Sequence, residues 1–150
     1  MTGLLLSYKV HPAGHWQGPC ETITLTYADR FLRRKRLVSD AGTSFLADLS
    51  GTQSLNEGDA FELSDGRLVK VAAAAEDLLE LRSGDLVRLA WHIGNRHTPC
   101  QVEADRLLIQ PDHVLYEMVL KLGGKVAEVR EPFTPEGGAY GHGRTHGHAH

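Results

Sequence analysis

The sequence predicts an α+β chain, an N-terminal all-β segment followed by a mixed segment of four short strands and two helices. Three observations carry this. Residues up to about Ala74 alternate apolar and polar side chains between glycine-centred turns. Beyond Ala74, apolar residues twice recur at spacings of three and four. The last 19 residues contain no Leu, Ile, Val or Met. A chain of 150 residues with 41% hydrophobic and 23% charged residues has ordinary globular composition, enough for one domain or two small ones.

In the first segment, residues 22–27 (TITLTY) alternate Thr with apolar residues and read as a strand. Residues 29–49 read as two strands joined at Asp40-Ala41-Gly42, where glycine supplies positive φ, and residues 59–71 form a second hairpin pivoting on Ser64-Asp65-Gly66. Short strands at regular spacing suggest a small barrel or sandwich and argue against a parallel sheet.

In the second segment, residues 75–82 (AEDLLELR) form a strand, and Ser83 is placed to cap a helix. Leu86, Leu89, Ala90, Ile93 and His97 fall on one stripe of that helix, which Thr98-Pro99 stops. Residues 101–103 and 106–110 are two short strands about Ala104-Asp105. Pro111-Asp112 then opens a helix with Val114, Leu115, Met118, Val119 and Leu122 on one face and Gly123-Gly124 at its end. Residues 125–130 are the last strand. The order β-α-β-β-α-β is the ferredoxin-like plan. The expected domains are therefore 1–74, all β; 75–131, ferredoxin-like; and 132–150, a disordered Gly/His-rich tail with too little apolar surface to offset its ordering entropy.

A formal charge of -3 argues against a bulk electrostatic nucleic-acid or membrane-surface binder. The segment 75–131 holds more acidic than basic residues and its last strand lacks an aromatic platform, which disfavours RNA. No apolar run is long enough to span a bilayer, and the N-terminal MTGLLLSYKV lacks the basic region and cleavage site of a signal peptide. Cys20 and Cys100 make no CxxC pair. A cytoplasmic protein is expected. Arg33, Arg34, Lys35 and Arg36 read as a solvated edge strand. No Gly-x-Ser-x-Gly, phosphate-binding loop or His-Glu-x-x-His pattern is present, so no enzyme is expected.

Histidine carries the chemistry. Nine are present, and His142, His146, His148 and His150 lie among glycines in the last nine residues. In an extended chain His146, His148 and His150 can present their imidazoles together, a pattern suited to Ni(II), Cu(II) or Zn(II). Irregular spacing, broken by Arg and Thr, argues against a purification tag. His97 ends an apolar stripe. On spacing alone a hydrogen-bonded core histidine is its ordinary role, but two copies meeting across a two-fold axis would form half of a metal site. His92 and His113 are ambiguous between ligand and ordinary surface roles, and His11 and His15 show no ligand spacing.

The segments WHIGNRHTPCQ (residues 91–101) and LLIQPDHVLYEMVLKLGG (residues 107–124), with the His-rich end after REPFTPEGGAYGHG, resemble the urease accessory nickel chaperones of the UreE family. The resemblance spans essentially the whole chain. It implies a polypeptide-binding N-terminal domain, a homodimer with metal between paired His97 side chains, and delivery of Ni(II) to urease apoprotein through an accessory GTPase. Some members carry His-x-His where this chain has Pro111-Asp112-His113, so an auxiliary site there lacks one ligand. Two alternatives belong to other classes: a polypeptide-binding module that only buffers metal, and a metal-dependent enzyme with an open position at His97.

Overall fold

The computed structural model describes residues 3–137. Most of its regular structure is strand, with two α-helices, an α+β composition. The chain divides into two compact units, Met1–Ala74 and Ala75–His150.

The first unit contains β1 (Leu5–Ser7), β2 (Lys9–His11), β3 (Glu21–Leu25), a 3-10 turn (Ala28–Arg30), β4 (Phe31–Val38), β5 (Ser44–Ser54), β6 (Ala60–Glu62) and β7 (Leu68–Ala73). They form two sheets, ordered β1-β5-β4 and β2-β6-β7-β3. Inward residues of both sheets make one core, with Phe45 of β5 edge-to-face on Phe61 of β6 at 5.2 Å. Both expected hairpins form. Gly42 (φ +93) and Gly66 (φ +91) take the left-handed conformations that the turns require.

Neither sheet is a parallel sheet; both are mixed, with β1 on β5 and β3 on β7 parallel beside the antiparallel pairs β4–β5, β2–β6 and β6–β7. Each parallel pair is joined through a long connection that crosses other strands, a topology that alternation within single strands does not encode. On β4, a register shift between Leu32 and Arg34 breaks the alternation and lets both Leu32 and Leu37 face the core. The four cations between them are exposed on an edge strand. Arg30 is buried, donating to the carbonyls of Leu25 (3.1 Å) and Leu55 (3.2 Å) and lying over the Tyr27 ring.

The second unit contains β8 (Ala75–Arg82), α1 (Leu86–Asn95), β9 (Cys100–Val102), β10 (Leu107–Ile109), α2 (His113–Lys121) and β11 (Lys125–Pro132). Its sheet runs β11-β8-β10-β9, with every neighbouring pair antiparallel. Leu79 and Leu81 of β8 and Leu107 and Ile109 of β10 pack against Leu89 and Ile93 of α1 and Leu115 and Val119 of α2. Truncating any one of these aliphatic side chains to Ala would cost about 2–5 kcal/mol. After α2 the chain turns at Gly123 (φ +82), and a Cβ on Gly124 would meet Val119 Cγ1 at 2.7 Å.

Three expectations change here. The cap of α1 is Asp85, whose carboxylate accepts from the Arg88 amide at 3.1 Å. Ser83 instead accepts from the Asp85 amide, holding the residue that caps. His97 does not continue the stripe of α1, since the helix ends at Asn95. The tail does not begin at residue 132: β11 runs through Pro132, and Phe133 is completely buried. The stretch holds no Leu, Ile, Val or Met, but Phe133 is a large apolar side chain that anchors its described part.

Candidate metal centre

The site is built where α1 stops. Gly94 weakens the last turn of the helix, and the chain closes it with Arg96 donating to the Ile93 carbonyl at 3.1 Å and His97 to the Gly94 carbonyl at 3.0 Å. His97 has φ +58, the only positive φ at a non-glycine among the described residues. A helix of this kind usually ends in glycine, because a Cβ in the left-handed region costs roughly 1–2 kcal/mol. Here an imidazole occupies the strained position and is exposed to solvent.

His97 lines an open cleft of about 560 Å³ with Asn95, Arg96, Thr98, Asp112, Val114 and Leu115. One wall is the C-terminal end of α1 and the other the N-terminal end of α2. Asp112 is committed to capping α2, its Oδ1 accepting from the amides of Val114 (2.9 Å) and Leu115 (3.1 Å). Val114 is an exposed apolar side chain of the lining.

The other histidines separate from this cleft. His92 is half-buried, edge-to-face with Trp91 at 5.1 Å, and lines a different hollow with Asp85, Val87, Arg88 and Trp91. His113 is exposed at the first residue of α2. His11 meets Glu62 Oε1 at 2.8 Å on neighbouring strands, and this hydrogen bond holds the Glu62 carboxyl below the usual range. The His15 amide donates to the Pro12 carbonyl in a loop. His142, His146, His148 and His150 lie outside the described residues. Among the described residues no three His, Cys, Asp or Glu side chains are grouped to hold an ion.

Cys100, three residues beyond His97, is half-buried. Burial pushes its thiol up to about 11, and the nearby Glu136 charge acts in the same direction. Without a metal beside it, the thiol stays protonated at neutral pH.

Two further features join residues that lie far apart in the sequence. Arg106 donates to Glu131 (2.7 Å), Glu80 (2.8 Å) and Glu103 (3.0 Å), joining β8, the β9–β10 turn and β11; only the Glu103 pair is local in sequence. The second is the course of the chain after β11. Thr134 donates its amide to Gln101 Oε1 at 2.8 Å, and Glu136 donates its amide to the Cys100 carbonyl at 2.9 Å. Phe133 was the available signal for it.

Residues 71–150 match the family described as "UreE urease accessory protein, C-terminal domain", and residues 8–74 match the corresponding N-terminal domain. The chain is similar to the urease accessory protein UreE of Ruegeria pomeroyi, 62% identical over 94% of this chain and 95% of the relative. The same protein of Cereibacter sphaeroides is 57% identical over the whole of this chain and 82% of the relative. That of Rhodobacter capsulatus is 56% identical over 95% and 90%. With both of its units matched and relatives of this similarity spanning nearly its full length, the chain belongs to the UreE urease accessory protein family, which serves urease maturation as an accessory chaperone and not as an enzyme.

Proposed function

We propose that this chain carries Ni(II) as cargo and hands it to urease apoprotein, with an accessory GTPase complex as the intermediate partner. The observation that carries the reading is His97, an exposed imidazole held in a left-handed conformation and lining an open cleft. One imidazole holds an ion weakly. The reading therefore takes further ligands from a second copy, through a homodimer of the ferredoxin-like domain 75–131, and from His142, His146, His148 and His150 of the tail. Val114, an exposed apolar residue lining the same cleft as His97, suits a contact between like surfaces.

A carrier needs exchange more than maximal affinity. Ligands drawn from two chains and a glycine-rich tail can leave one at a time, so an acceptor ligand can enter at each step. The same imidazoles also suit Zn(II) and Cu(II), and Cu(II) stands above Ni(II) in intrinsic affinity, so metal choice would depend on availability. On this reading the domain 1–74 holds a polypeptide partner and the protein works in the cytoplasm; neither nucleic acid nor membrane takes part. Among the described residues no helix is long and apolar enough to cross a membrane.

Light scattering at micromolar protein with Ni(II) tests the assembly, and calorimetry on the full chain and on a form ending at Gly137 tests the sites. A dimer with at least one ion remaining after truncation is expected. A monomer with Ni(II) bound would overturn the paired-histidine site.

A further inference from the structure

β11 and β9 form opposite edges of the second sheet. A chain leaving β11 at Pro132 would set out from the far edge, yet the described chain turns back to β9. Phe133 is sunk with no exposed surface, Thr134 is tied to the Gln101 side chain, and Glu136 is tied to the Cys100 backbone. Gln101 is itself held, its Nε2 donating to Glu103 Oε2 at 2.8 Å. Glu103 in turn accepts from Arg106, so the amide that receives Thr134 is oriented by a chain of hydrogen bonds.

We infer that residues 133–136 are a strap that fixes where the His-rich tail leaves the second unit, on the β9 side and three residues from His97 in the chain, with Gln101 as its positioning residue. The inference rests on the reading of the tail histidines as ligands that join His97. Its consequence is one of effective concentration. From Glu136 to His142 is six residues, which span at most about 20 Å, while Cys100 and His97 are within about 11 Å along the chain. A tail rooted there starts within reach of His97. Rooted at the β11 edge, the same tail would have a longer and displaced tether, and its local concentration would fall.

Cys100 gives the strap its own reporter, because the thiol is half-buried and Glu136 lies on its residue. The test uses full-length protein in a Cys20→Ser background, since Cys20 is exposed and would react first. Two measurements are made on wild type, on Gln101→Ala with Phe133→Ala, and on a form ending at Gly137: the rate of Cys100 alkylation and the affinity of the tightest Ni(II) site. Release of the strap should speed alkylation at least tenfold and weaken that site at least about threefold, toward the truncated form. Faster alkylation with wild-type affinity would overturn the positioning role. Unchanged alkylation would show that these contacts do not hold the strap, and would also overturn it. If truncation itself leaves the affinity unchanged, the tail does not join His97, and the proposal falls with the reading beneath it. Should the double variant fail to fold, twenty Gly/Ser residues inserted after Gly137 leave every strap contact in place. That insertion should weaken the site roughly four- to ninefold by lengthening the tether, and no change would contradict the inference.

Discussion

The amide of His97 donates to the carbonyl of Gly94 at 3.0 Å, and this bond ends α1 on a left-handed histidine where helices ordinarily place glycine. Ligand chemistry and backbone stability therefore pull in opposite directions at one residue. His97→Gly should raise the free energy of unfolding by about 1 kcal/mol, because glycine takes this conformation without the Cβ clash. His97→Ala should not. Both should lose the tightest Ni(II) binding. Urea unfolding of the metal-free proteins checks the first statement, and a glycine variant less stable than wild type would remove the strain account.

Phe133 is the buried side chain that follows β11. Phe133→Ala should destabilise the second unit by about 3–5 kcal/mol, the usual range for emptying a buried aromatic site. Ending the chain at Gly137 should change stability by less than about 0.5 kcal/mol. Urea melts of the two forms decide it; equal stabilities would mean that Phe133 contributes no packing.

The carboxyls of Glu131 and Glu80 lie below their ordinary range because Arg106 donates to both, with Arg82 adding to the effect at Glu80. A carboxylate lowered in the folded state contributes stability that is complete above its unfolded pKa and is lost as pH falls through the folded value. Arg106→Gln should therefore lower the thermal midpoint at pH 7, and its gap from wild type should close progressively below about pH 4. Thermal scans from pH 7 to pH 2 measure this. A gap that is independent of pH would show that Arg106 acts through packing of its aliphatic stem alone.

Ni(II) occupancy should fall steeply below about pH 6, since imidazoles with a reference pKa of about 6.5 must be neutral to ligate. Calorimetric titrations at pH 8, 7, 6 and 5 report the trend. Undiminished binding at pH 5 would point to carboxylate or thiolate ligands, Cys100 first, and away from the histidines.

Local signals were legible in the sequence and long-range ones were not. The turns at Gly42 and Gly66, the strand from Ala75 to Arg82 and the Asp112 start of α2 all follow from periodicity and turn chemistry within a few residues. The parallel pairs β1–β5 and β3–β7, and the Arg106 network across three elements, join residues that only the fold brings together. His97 is legible in the sequence as a residue but not in its geometry. Its spacing from Ile93 continued the helical stripe, but Gly94 and the bridging conformation of Arg96 end the helix two residues before it. At the C-terminus, the scarcity of aliphatic residues hid the contribution of Phe133.

The account depends most on His97, and nickel calorimetry on full-length His97→Ala protein beside wild type tests it most directly. The predicted result is loss of the tightest phase with the weaker phase of the tail histidines retained, in a protein that keeps its fold because the side chain is exposed and outside α1. A His97→Ala isotherm superimposable on that of wild type would contradict the account.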